Sequence, residues 1–310
     1  MKQCRNIYID YFKLFLSVLV ITAHVPSLFS NNGDGNIFNW LIACGIVRIA
    51  VPCFLVLNGY YIANKIGDSK FIRKYIIRFS IIYVVWCMIY SPIFPIELTG
   101  NSIIMFFAGV FHLWYIIALI ISVFCLYFLK KWIKSNTLLF SLMLLLFLVG
   151  YSIQLVFPSR LFFFRNAFFF GLPFIFLGYY ISQKEKSLVK IKQSLLLLIF
   201  ALSLLCFGIE LYFSNIYSLN TDLCLSLFLL CPIIIVLFLR YPKNVESDGY
   251  ISKLASCIYF VHVLVINLLK AFYLEFPRED FIYYFPTILF ISILASVGII
   301  EINKRIKIFL

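Results

Sequence analysis

The sequence predicts an all-α, polytopic integral membrane protein of about ten transmembrane helices, with both termini in the cytoplasm. Three observations lead there. Of 310 residues, 64% are hydrophobic and 13% charged, where a soluble domain carries about 25% charged. Apolar runs of about 20 residues recur along the whole chain. Lys and Arg gather in every second connection between those runs.

The runs fall at roughly 8–29, 39–63, 76–95, 111–129, 137–157, 167–182, 195–213, 223–239, 257–273 and 281–302. The first is too long for the apolar part of a signal peptide and contains Lys13, so it reads as a retained span. The second contains Arg48 and Pro52, and the third follows the basic run Arg73, Lys74 and Arg78. Ile103 to Gly109 reads as a short interfacial helix before the fourth. Lys2 and Arg5 precede the first span, and basic clusters follow the second, fourth, sixth and eighth. Lys304, Arg305 and Lys307 close the chain. The other connections are nearly bare of positive charge, which puts the ends inside. No linker marks a second domain, so residues 1–310 read as a single transmembrane domain.

The net charge of +13 does not indicate nucleic acid, because the basic residues sit in short clusters between apolar runs. Nine cysteines lie almost entirely inside those runs, with no Cys-x-x-Cys pair and no Cys/His cluster. Neither a disulfide framework nor a metal site is expected. Nucleotide-binding and hydrolase fingerprints are absent.

A charge inside a span costs about 2.5–3.5 kcal/mol on insertion scales, so the polar residues there need a reason. In the first span Lys13 and His24 are eleven residues apart, about three helical turns, and share a face about 16 Å long. Asp10 and Ser17 lie on the same stripe. One account is a polar cavity; the other is a snorkelling Lys13 paired with Asp10 and a satisfied outer His24. Arg48 is too deep for easy snorkelling and is either a site residue or half of an ion pair. His112, Trp114 and Tyr115 open the fourth span, where Trp and Tyr are also ordinary belt residues. Arg165 is an outer anchor or a site residue. Tyr259 and His262 share a face of the ninth span, as packing or as chemistry.

These residues resemble those of the membrane-bound acyltransferase-3 family of bacterial inner-membrane acyltransferases. Ile9-Asp10-Tyr11-Phe12-Lys13 with His24 is similar to the family's basic-x10-His signature. Val51 to Tyr60 resembles a second motif, with Asn58 where Ser is usual. Arg73-Lys74-Tyr75-Ile76-Ile77-Arg78, His112-Leu113-Trp114-Tyr115, Arg165-Asn166 with Gly171-Leu172-Pro173, and Tyr259-Phe260-Val261-His262 follow in the family's order.

The resemblance implies a membrane O-acyltransferase, most simply an O-acetyltransferase. Its donor would be cytoplasmic acyl-CoA (acetyl-CoA), a co-substrate rather than a permanently bound cofactor. Its acceptor would be a hydroxyl of a surface glycan or lipid-linked saccharide. Arg73, Lys74 and Arg78 would take the donor's phosphates. Lys13 and Arg48 would line the passage and stabilise developing charge. His24 would be general base or acyl carrier. His112, Trp114, Tyr115, Arg165, Tyr259 and His262 would hold the acceptor. The chain ends at Leu310 without the hydrolase-like domain fused to some members, which implies action alone or with a separate extracytoplasmic partner. The implied location is the bacterial plasma membrane. A small-molecule transporter on the same membrane domain is the alternative, since a polar stripe also suits a pathway.

Overall fold

The protein is described by a computed structural model covering residues 3–24, 45–93, 111–217, 222–272 and 281–310. The expected interfacial helix at 103–109 and the first outer loop lie outside the described residues. The elements are almost entirely helical: α1 (Ile7–His24), α2 (Ala50–Ile62), α3 (Ser69–Tyr90), α4 (Trp114–Trp132), α5 (Asn136–Val156), the one-turn α6 (Leu161–Phe164), α7 (Leu172–Leu188), α8 (Gln193–Ile216), α9 (Leu227–Arg240), α10 (Tyr250–Phe272) and α11 (Phe281–Ile306). Two short strands, β1 (Gln3–Asn6) and β2 (Asn244–Ser247), pair antiparallel.

Every expected apolar window overlaps a helix among the described residues. Among the described residues, seven helices are long and apolar enough to cross a membrane: those of windows one, two, four, five, seven, nine and ten. The other three differ for visible reasons. Helix α3 begins with Lys70, Arg73, Lys74 and Arg78, α7 ends in Lys184, Glu185 and Lys186, and α9 has 14 residues. The chain forms two compact units, one of residues 1–50, 84–97 and 242–310, the other of 51–83 and 98–241.

In the first unit α1 packs along α10, and α10 along α11. Helix α1 buries Ile9, Phe12, Leu16 and Val20 while Tyr8, Tyr11 and Phe15 face outward. Helix α11 shows the inverted pattern lipid demands: Ser292 and Ser296 are fully buried, and Phe290 and Leu294 point out. At the end of α3, the Tyr90 hydroxyl donates to the Phe260 carbonyl (2.6 Å) and accepts from the Leu264 N–H (3.1 Å). It thus bridges the two groups that would close one turn of α10.

The second unit is built on close backbone approach. A β-carbon on Gly59 of α2 would overlap the Ile175 carbonyl of α7, and one on Gly178 would overlap the Val56 carbonyl. Only glycines let these two helices touch so closely. Beside them, Phe147, Phe174 and Phe228 of α5, α7 and α9 form a ring cluster with centroids 4.9–6.3 Å apart. The turn before α9 is tied by Glu210, which accepts from Leu225 N–H, Ser226 N–H and the Ser226 hydroxyl at 2.7–3.1 Å. Gln154 pairs with both backbone groups of Leu223, each at 2.8 Å.

Candidate active site

In the first unit, the polar stripe of α1 meets α10 at three levels. The Lys13 ammonium donates to the Ser252 hydroxyl at 3.2 Å. The Ser17 hydroxyl contacts the carbonyls of Ala255 (2.7 Å) and Lys13 (3.0 Å). The His24 ring packs edge-on against His262, with centroids 4.9 Å apart and an interplanar angle of 70°. Contacts that climb both helices in the same order, from 13 with 252 to 24 with 262, mean that α1 and α10 run parallel. The β1–β2 pair ties their starting ends together.

Each imidazole is anchored on its own helix. His24 Nδ1 lies 2.9 Å from the Val20 carbonyl, and His262 Nδ1 lies 3.1 Å from the Ile258 carbonyl. A carbonyl can only accept, so Nδ1 carries the proton in each contact. In the neutral rings Nε2 is then the basic nitrogen. His262 is fully buried, and Tyr259, one turn earlier, sits 6.1 Å away ring to ring. The stripe therefore serves as a polar seam, and its far end is a pair of histidines.

The end of the seam near the start of α1 differs from the simple Lys13–Asp10 pair. Asp10 is 1% exposed and accepts two hydrogen bonds of 2.9 Å from the Arg5 guanidinium. The Lys13 ammonium stays 3.8 Å from the same carboxylate. Arg5 and Ser252 are site residues that the sequence reading missed, because neither belongs to an apolar periodic pattern that singles it out.

Arg48 also falls in this unit, in a 3-10 turn (Ile46–Ile49) that packs against α1. That is a change from the expected mid-helix position. Pro52 has no N–H, so the Arg48 carbonyl has no donor four residues on, and the tighter turn precedes the α-helix. The Ala50 N–H bonds to the Val47 carbonyl instead.

The remaining predicted residues lie in the second unit. Arg73, Lys74 and Arg78 are exposed on α3. His112 is buried in a 3-10 turn before α4. Trp114 and Tyr115 are also buried and so do not form an outward belt. Arg165 lies over the Trp114 ring at 4.4 Å and 3.8 Å from the buried Asp222 carboxylate. Beside Trp114 an apolar cavity of about 440 Å³ is lined by Ile121, Ile153, Phe157 and Phe163. The Tyr115 hydroxyl accepts from Asn58 Nδ2 at 2.8 Å, and Tyr75 donates to Asn58 Oδ1 at 3.2 Å. Asn58, assigned no role from the sequence, joins α2, α3 and α4. A side-chain amide has both a donor and an acceptor to do so; the expected Ser has a single oxygen.

A family model described as an acyltransferase domain matches residues 6–301 of the chain. The chain belongs to acyltransferase family 3. The family match extends over both compact units and takes in every candidate residue named above except Arg5, which lies just before it. Two curated relatives, each named amino-acid racemase and each from Enterococcus faecalis, are similar at lower identity. One is 24% identical over 97% of this chain and 47% of its own length; the other is 28% identical over 64% and 31%. The chain thus spans about half, or less, of the curated relatives it matches. No solved structure matches it. With seven helices suited to crossing a bilayer, this acyltransferase-family chain is a membrane protein.

Proposed function

We propose that the protein moves an acyl group, most simply acetyl, from cytoplasmic acyl-CoA to a hydroxyl of a surface glycan or lipid-linked saccharide. The observation that carries this reading is the His24–His262 pair at the far end of a polar seam that begins at Lys13. The acceptor oxygen attacks the thioester carbonyl and its proton passes to His24 Nε2. The carbon–sulfur bond breaks and the CoA thiolate takes up a proton. Lys13 lies about 16 Å down the helix from His24, which suits the donor passage rather than the same reacting centre. Arg48 supplies positive charge beside α1 as the thioester oxygen becomes negative. Arg73, Lys74 and Arg78 receive the donor's phosphates. His112, Trp114, Tyr115, Arg165, Tyr259 and His262 serve the acceptor.

The proposed topology is one domain of ten crossings in the bacterial plasma membrane, with the ends inside. The parallel course of α1 and α10 supports it. Two parallel crossings need an odd number between them, and α2, α3, α4, α5, α7, α8 and α9 make seven. If only the longest helices crossed, four would intervene and α1 and α10 would run opposite ways.

The test is transfer of labelled acetyl from acetyl-CoA in membranes, with glycan analysis of cells with and without the gene. No acetyl difference in any surface saccharide overturns the reading. A second reading, movement of a small molecule, draws on the relatives: a similar chain segment occurs in proteins named for an amino-acid activity. Uptake of labelled amino acids into vesicles, with no acetyl transfer, would favour it.

A further inference from the structure

We propose that Arg5 is a positioning residue whose task is to occupy Asp10 and so keep Lys13 directed along the seam. The inference rests on the proposed use of Lys13 in donor chemistry and adds a control on it. Asp10 is a buried carboxylate one turn from Lys13, close enough to capture its ammonium. Left to those two groups, the pair would be neutral and Lys13 would turn back towards the start of its own helix. Arg5 prevents this by taking both carboxylate oxygens at 2.9 Å in the bidentate geometry that guanidinium favours. The trio of Arg5, Asp10 and Lys13 then keeps one net positive charge, and it resides on Lys13, which reaches Ser252 on α10.

The surrounding fold is built to seat Arg5. Its strand pairs in register with β2, Arg5 opposite Val245. Gly249 precedes α10 with φ of +74°, and a β-carbon there would lie 3.1 Å from the guanidinium. Any other residue would be strained at that φ and would also press on the Arg5 head group. The strand pair and this glycine hold the arginine over Asp10 from outside the seam.

The test uses purified full-length protein. Arg5→Gln should lower kcat about a hundredfold, close to the loss from Lys13→Ala, with the protein still inserted. Adding Asp10→Asn to Arg5→Gln should restore most of the rate, because no carboxylate remains to capture Lys13. Gly249→Val should reproduce the defect through displacement of Arg5, and Asp10→Asn should rescue it too. Full activity in Arg5→Gln, or a double variant as poor as the single one, overturns the proposal and leaves the bridge purely structural. A second readout stands apart from acyl transfer: labelling of Lys13 by an amine-reactive ester, followed by mass spectrometry. It should slow in Arg5→Gln and recover in the double variant. Unchanged labelling in all three proteins overturns the inference, whereas the expected pattern without any acetyl transfer would fault only the proposed reaction.

Discussion

The α1–α10 pair and the α2–α7 pair solve one packing problem in opposite ways. In lipid, apolar side chains gain little by leaving the bilayer, so helices need another reason to associate. Helices α2 and α7 use Gly59 and Gly178 to bring backbone against backbone, and the Tyr60 hydroxyl donates to the Glu185 carboxylate at 2.8 Å towards the end of α7. Helices α1 and α10 are joined by polar contacts instead: Lys13 with Ser252, Ser17 with the Ala255 carbonyl, His24 with His262. The first arrangement is a scaffold that rests on backbone contact at its two glycines. The second holds ionisable groups in apolar surroundings, a costly state that persists where it is used.

The largest expected effect lies at the histidine pair. His24→Ala should lower transfer by about 10²–10⁴-fold while insertion and thermal stability stay close to the parent's. Lys13→Ala should be nearly as severe and Lys13→Arg should retain activity, since the need is for a fixed positive charge; acetyl transfer by well-folded variants measures both. Should Lys13→Ala alter topology and spare turnover, the α1 seam would be packing like the α2–α7 crossing.

At the glycine crossing the expectation reverses. Gly178→Val should destabilise the protein by about 1–3 kcal/mol or more through overpacking against the Val56 carbonyl. Its melting temperature in detergent should fall, and the turnover of whatever remains folded should be unchanged. A folded, inactive Gly178→Val would erase the distinction between scaffold and site.

Weaker effects sharpen the comparison. Arg73→Ala and Arg78→Ala should raise the apparent KM for acetyl-CoA by about tenfold, one charge-assisted contact each, at normal expression. Unchanged acyl-CoA binding would make that cluster a determinant of topology alone. Ser17→Ala removes a hydrogen bond to Ala255, and interhelical bonds in lipid average about 0.6 kcal/mol. A melting shift at the limit of detection is expected, with activity retained.

Although several starts differ by seven residues or more, composition and the apolar runs were enough to locate the long helices, because in a bilayer each backbone group must be satisfied within its own helix. The eleven-residue interval likewise put Lys13 and His24 on one face, which is a property of helical pitch alone. The partners on that face were not legible. Ser252, Ala255 and His262 lie some 238 positions away, and nothing local in α1 specifies which helix will cover it. Arg5 precedes the first helix and looked like one more cytoplasmic charge until strand pairing set it over Asp10. Asn58 looked like the loss of a hydroxyl, yet its amide links Tyr75 and Tyr115. Local pattern is a one-dimensional property and survives in the sequence, whereas pairing of polar groups across helices depends on which faces meet, and that is decided only when the helices pack.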